Sequence, residues 1–185
     1  MRKELEDFVR RVPFCISNAL RSRIVRQAKE DGALATVGFS RAKKTDPQIR
    51  SGQVTFFQNH QLAKSFEKLI ANHIFGDAEC GSGRPEIKLN IEPFQAAYYR
   101  RGDHYHWHSD YHPRAPRLLT MVSLLEKSPN LRGGCLELKD SKGNILSARL
   151  RMNQVIVFPS IMLHRVAPVI RGERITLTAW VRIQP

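Results

Sequence analysis

Tyr99-Arg100-Arg101-Gly102-Asp103-His104-Tyr105-His106-Trp107-His108-Ser109-Asp110 is the stretch on which the reading of this chain turns, and two later features answer it: a lone His164 and the run Arg174-Ile175-Thr176. A His and an Asp two residues apart can grip one metal ion from a strand end. With a second imidazole from elsewhere they form the two-His, one-carboxylate face that leaves positions of Fe(II) open. In an extended segment alternate side chains share a face. His104, His106, His108 and Asp110 are therefore expected on one side, with Tyr105 and Trp107 on the other. His106 offers a competing His-x-His pair, but only His108 completes the His-x-Asp pair.

His164 lies far along the chain, after the apolar run Val155-Ile156-Val157-Phe158-Pro159, and a jelly roll can return it to the same place. Beyond it, Ile175, Leu177, Ala179 and Val181 alternate with Arg174, Thr176 and Thr178. One face of that strand is core-like, so the other turns an arginine inward. A buried guanidinium needs an anion, and its fork fits a carboxylate with two parallel bonds. A dicarboxylic co-substrate, or an internal Asp or Glu, would provide one. The Thr176 hydroxyl can donate to the same group.

Outward from this segment the pattern is one of short strands between turn residues: 87–100, 105–110, 118–126, 135–138, 145–150, 155–159 and 175–183. Many short strands at regular spacing predict a sandwich or barrel. The fold class is mainly β with N-terminal helices: a double-stranded β-helix (jelly roll, cupin-like) flanked by two or three helices. Ser17-Asn18 predicts an N-cap for a helix over 19–30. Leu62, Phe66, Leu69, Ile70 and Ile74 predict a second over 61–75. The polar, aperiodic stretch 41–52 is expected to be a mobile lid, and 77–84 a connection. The whole chain, 1–185, is expected to be one domain, with 1–84 as mostly helical support and loop and 85–185 as the jelly-roll core.

Bulk properties narrow the class further. No apolar run approaches the length of a spanning helix, and Met1–Asp7 carries acids where a secretory leader has its apolar region. A cytoplasmic protein with no membrane partner is expected. Cys15, Cys80 and Cys135 are odd in number and without Cys-x-x-Cys spacing, which predicts free thiols. The 30 Lys and Arg against 17 Asp and Glu give a net charge of +13. Such a field draws anionic partners, so a nucleic-acid partner stays open.

The arrangement Tyr99-x-x-Gly102-x-x-Tyr105-x-x-His108-x-Asp110 resembles the prolyl-4-hydroxylase-type branch of the Fe(II)/2-oxoglutarate dioxygenases. Arg117-Leu118-Leu119-Thr120 and Gly133-Gly134 before Leu136 resemble it as well. The segment from Phe158 through His164 to Gly172-Glu173-Arg174 resembles the PKHD-type hydroxylases. The resemblance covers about half the chain and implies iron held by His108, Asp110 and His164. It also implies 2-oxoglutarate bound at Arg174 with Thr176, and a Tyr99 phenol facing that co-substrate. The implied reaction couples oxidative decarboxylation of 2-oxoglutarate by O2 to hydroxylation of an aliphatic C–H. The implied substrate is a prolyl or other amino-acid residue in a peptide or protein, or a free amino acid. Some relatives carry a second phenol where Leu124 and Leu125 stand here, and an acid where Cys135 stands.

Arg50, His106, Trp107 and His112 are candidates for the substrate rim, Arg50 as a partner for a substrate carboxylate. Two alternatives remain. An AlkB-like nucleic-acid demethylase uses the same triad on a flipped base, and Arg174-Ile175-Thr176-Leu177-Thr178 is similar to that family's Arg-x-Asn-Leu-Thr run. Against it, Thr176 replaces the Asn and Trp180 stands where a second Arg is expected. The other alternative is a jelly-roll module that binds metal or ligand without turnover.

Overall fold

The structure, a computed structural model, describes residues 8–36, 44–73 and 89–183. Two helices and fourteen strands make up the described part. The N-terminal portion holds β1 (Arg10–Pro13), α1 (Asn18–Glu30), β2 (Ala33–Leu34), β3 (Gln53–Phe57) and α2 (His60–His73). Next come β4 (Leu89–Ile91), β5 (Phe94–Tyr99), β6 (Tyr105–His108), β7 (Arg117–Lys127) and β8 (Arg132–Gly133). The chain closes with β9 (Leu136–Lys139), β10 (Ile145–Ala148), β11 (Gln154–Pro159), β12 (Leu163–Val166), β13 (Val169–Arg171) and β14 (Arg174–Ile183).

The strands form a major antiparallel sheet in the order β1-β11-β7-β14-β5-β3-β2, with β4 also on β14, and a minor sheet in the order β10-β9-β12-β6. A short ladder joins β13 to β8. This is the double-stranded β-helix. The alternation along β14 decides what lies on each side of the major sheet. Ile175, Leu177, Ala179 and Val181 join the core under the helices, with Phe94, Met121 and Val155. Arg174, Thr176, Thr178 and Trp180 face the space between the sheets.

Each helix is started by a side chain and fixed by one buried stripe. The Ser17 hydroxyl accepts from the Leu20 amide (3.3 Å) at the head of α1, which buries Ile24 and Ala28. Asn59 accepts from the Leu62 amide (2.8 Å) at the head of α2, which buries Leu62, Phe66, Leu69 and Ile70. Such caps satisfy amides that have no partner within the helix.

Several expectations are corrected by these elements. The first third, expected to be mostly helical support and loop, also gives β1 and β3 to the major sheet. β1 lies at the sheet's edge, where its exposed arginines and Pro13 disguise it as a strand in sequence but protect an edge from further pairing. The run expected over 87–100 is two strands, broken at Glu92-Pro93, because proline has no N–H to give the ladder. The strand through His164, β12, is short, half-polar and absent from the sequence reading. The stretch expected as a free lid is tied down where described. Asp46 anchors a turn through the Ile49 and Arg50 amides, and Arg50 bridges to Tyr105; residues 41–43 lie outside the described part. The expected connection 77–84, the end of the second helix beyond His73, and Cys80 also lie outside it. Cys15 and Cys135 are free thiols. Among the described residues no helix is long and apolar enough to cross a membrane.

Candidate active site

Between the sheets lies a cavity of about 940 Å³, open at one side. At its inner end, β6 and β12 pair antiparallel with His108 directly opposite His164. Asp110 follows β6, and its amide and that of Tyr111 both donate to the Ser160 carbonyl, which clamps the turn to the end of β11. One ligand atom from each of His108, Asp110 and His164 lies within 4.8 Å of the others.

Each candidate ligand is oriented by a second contact. The Nδ1–H of His108 donates to the His106 carbonyl (2.8 Å), and that of His164 to the Met162 carbonyl (2.9 Å). Both Nε2 atoms thus face the centre, that of His164 lying 3.3 Å from Asp110 Oδ2, the usual arrangement for imidazole ligands. On Asp110, Oδ2 accepts from the Thr120 hydroxyl and from the Trp180 indole N–H, both at 2.8 Å. Because Thr120 must donate to the carboxylate, the buried Ser160 hydroxyl donates to Thr120 (2.9 Å). The remaining oxygen, Oδ1, lies 3.7 Å from His108 Nε2.

Electrostatics hold these groups in metal-binding form. Burial, with the neighbouring His164 second, pulls the His108 imidazole down from 6.5 to about 3, so it stays neutral. Burial alone would raise Asp110, but the imidazoles of His164 and His108 and the Trp180 N–H outweigh it, and the carboxyl stays ionised far below its ordinary value.

Arg174 enters from the major sheet at the register position of Tyr99, its Cζ 5.4 Å from the Tyr99 ring. It is buried, and its Nε has no partner. Burial pulls its pKa below the ordinary arginine value, as a charge without a counterion would be. Gly134 lies beside it. At φ +62°, a side chain there would crowd Val169 and meet Arg174 Cδ at 3.5 Å. Gly133 (φ +74°) passes so close that a Cβ would stand 2.2 Å from the Pro168 carbonyl. Gly134 therefore lies against this arginine, and Gly133 against the backbone of Pro168 and Ile170. Thr176 and Tyr99 are buried beside it in the same wall. This unsatisfied guanidinium fits a carboxylate of 2-oxoglutarate, and the neutral-nitrogen, carboxylate-oxygen donor set fits Fe(II).

The expected alternation along Tyr105–Asp110 fails at one place. Two steps on β12, from His164 to Val166, oppose three on β6, from His108 to Tyr105. This β-bulge turns Tyr105 to the same side as His108, and their rings stack at 3.5 Å. His104 goes instead to the 44–52 segment, where its ring touches Gln48 and Ser51. His106 is exposed, and Trp107 lies between Lys139 and Arg165 on the far side of the minor sheet. Neither lines the cavity, whereas Arg50 and His112 do. Arg50 lies over the other face of Tyr105, with its Cζ 4.3 Å from the ring.

Sequence reading missed Thr120, Trp180 and Ser160, the groups that hold Asp110, and the pair of arginines, Arg117 and Arg182, joined by Glu92 in the cavity wall. The inward alternation of β14 was a signal for Trp180. The others are assembled only by the fold.

A family model described as the 2OG-Fe(II) oxygenase superfamily matches residues 94–182, a little under half of the chain, and this stretch includes His108, Asp110, His164 and Arg174. A PKHD-type hydroxylase of Synechococcus sp. (strain CC9605) is 30% identical over 82 residues, 43% of this chain and 37% of the relative. Another, from Parvibaculum lavamentivorans, is 28% identical over 159 residues, 85% of this chain and 68% of its own length. The chain thus spans little more than a third of the first relative and about two thirds of the second. Among solved structures, a Pseudomonas putida prolyl-4-hydroxylase superposes with TM-score 0.70 at 21% identity, covering 95% of this chain and 92% of that one. A Trichoplax adhaerens prolyl hydroxylase, solved with a hypoxia inducible factor oxygen degradation domain peptide fragment, gives TM-score 0.70 at 16% identity, covering 97% and 86%. These superpositions establish the shared fold. A match to this family implies Fe(II), 2-oxoglutarate and O2 as cofactor and co-substrates.

Proposed function

We propose that the protein is a hydroxylase of the PKHD and prolyl hydroxylase type, acting on an aliphatic C–H of a prolyl or other amino-acid residue in a peptide or protein, or of a free amino acid. One observation carries the reading: an oriented His108, Asp110, His164 set and an unpaired buried Arg174 face the same cavity. The likeness to a prolyl hydroxylase solved with a peptide supports a peptide substrate.

In this reading His108, Asp110 and His164 would hold the iron. Iron bound there would couple the four-electron reduction of O2 to two two-electron oxidations, of the keto acid to succinate and CO2 and of a substrate C–H to C–OH, each product taking one oxygen atom. The chain's part is placement. Arg174 takes the carboxylate of 2-oxoglutarate remote from the keto group, Thr176 donates to it, and the Tyr99 ring walls it in. Thr120 and Trp180 help keep Asp110 ionised and fix the orientation of its carboxylate. The apolar parts of Val122, Leu136 and Val166 exclude water from the inner end. His108 stays neutral at any working pH and so needs no proton removed before it binds.

The test is conversion of 2-oxoglutarate to succinate with Fe(II), alone and with prolyl peptides, followed by mass spectrometry of the peptide. The expected result is iron-dependent conversion, stimulated by a peptide that gains one oxygen atom and abolished in Asp110→Ala. Conversion that persists in Asp110→Ala, or stimulation by a methylated oligonucleotide and not by any peptide or amino acid, would overturn the reading.

A further inference from the structure

Two buried guanidinium nitrogens in the cavity wall lack a partner, and only one is explained by the co-substrate. Arg174 Nε belongs to the 2-oxoglutarate position; Arg50 Nε does not. Arg50 is 8% exposed. Its Nη2 donates to Gln95 Oε1 at 2.8 Å, a neutral acceptor that leaves the charge unbalanced. Its guanidinium lies over Tyr105, and Tyr105 stacks on His108, so one ring separates the cation from a candidate metal ligand.

The other charges of the cavity are already matched. Among the described residues its wall carries four arginines (Arg50, Arg117, Arg174 and Arg182) and two carboxylates, Glu92 and Asp110. Glu92 is held by both Arg117 and Arg182. Asp110 is held by Thr120 and Trp180 and belongs to the metal set. No carboxylate of the wall is left for Arg50. A buried charge is retained at a cost unless something pairs it, and a guanidinium fork matches a carboxylate best.

We propose that Arg50 anchors a carboxylate of the substrate that is oxidised, which makes this cavity selective for acid-bearing substrates. The inference rests on the oxygenase reading above, in which 2-oxoglutarate takes Arg174 and the metal and leaves Arg50 free. The spacing of two stacked rings sets the size class: the acid group lies within a few bonds of the oxidised carbon. A free amino acid, a peptide ending at the oxidised residue, or one with an acidic side chain next to it would fit.

The experiment is calorimetric titration of protein first loaded with Mn(II), which replaces iron without turnover, and with 2-oxoglutarate. Loading is itself a separate control. If 2-oxoglutarate does not bind, or binds independently of Arg174, the oxygenase reading fails, whatever Arg50 does. Loaded protein is then titrated with acetate, with N-acetyl-L-proline and its amide, and with the α-amide of N-acetyl-L-glutamic acid. Saturable binding of acetate is expected, at least tenfold weaker in Arg50→Gln and partly restored in Arg50→Lys. In wild-type protein alone, N-acetyl-L-proline should bind at least tenfold more tightly than its amide if the anchor serves a terminal carboxylate. Binding of the glutamic acid α-amide in place of N-acetyl-L-proline would assign the anchor to an acidic side chain. Carboxylate binding equal in wild type and Arg50→Gln, no saturable binding of any of the three acids, or loss of 2-oxoglutarate affinity alone in Arg50→Gln would each overturn the proposal. The comparison of acid with amide needs no variant, so it stands even if Arg50→Gln fails to fold.

Discussion

At the scale of single residues, the site separates into groups visible in the chain and groups that only the fold supplies. His108 and Asp110 declare themselves by their spacing, and Arg174 by its place opposite a core-facing alternation. Thr120 and Ser160 carry no such mark, and Trp180 only its place on the inward face of β14, because each is 10 to 70 residues from Asp110 and meets it only through the sheet. The Trp180 indole N–H contributes to Asp110 what a second contact contributes to any ligating carboxylate, a fixed orientation. Trp180→Phe keeps the ring but removes that donor. Its Mn(II) affinity, measured by titration, should fall roughly 10- to 100-fold, with the circular dichroism spectrum unchanged. Affinity equal to wild type would show that Thr120 alone positions the carboxylate.

At the scale of elements, period-two alternation predicts β14 correctly along its whole length and misplaces β6. The difference is a single extra residue. β14 pairs on both sides through the middle of the major sheet, and the two register shifts in its ladder with β7 fall as extra residues on β7, so its own alternation is unbroken. β6 lies at the edge of the minor sheet, where a bulge is tolerated and moves Tyr105 onto the metal side. No local signal distinguishes the bulged from the regular strand. The polar stretch before Gly52 looks mobile in sequence because it lacks periodicity, yet its described part is fixed by Asp46 and by the Arg50–Tyr105 bridge. The role of β14 as the divider between core and cavity has a direct consequence. Leu177 is fully buried under the helices, so Leu177→Ala should cost about 2–5 kcal/mol in chemical denaturation. The Mn(II) affinity of the folded fraction should stay close to wild type, since the removed atoms lie on the other face.

At the scale of the whole molecule, the jelly roll and its two covering helices are legible from strand spacing and helix stripes, while the strands of the first third are not. β1 and β3 are short, and their partners β11 and β5 are distant in sequence. The cavity between the sheets also imposes an acid limit on the fold. Burial alone would raise the Glu92 carboxyl, but Arg117 and then Arg182 outweigh it, so it is held below its ordinary value of 4.5. A carboxyl lowered in the folded state adds stability that is complete above the unfolded value and lost as pH falls through the folded one. Thermal melts should therefore show the melting temperature falling as pH drops below about 4.5, with a shallower fall in Glu92→Gln. The most direct test of the central claim is an anaerobic absorption spectrum of the metal-free protein, taken on adding Fe(II) and then 2-oxoglutarate. The account predicts a weak visible band from the keto acid chelated to iron, present in wild type and absent in His108→Ala and His164→Ala. A folded protein that binds Fe(II) and still shows no band with 2-oxoglutarate would contradict it.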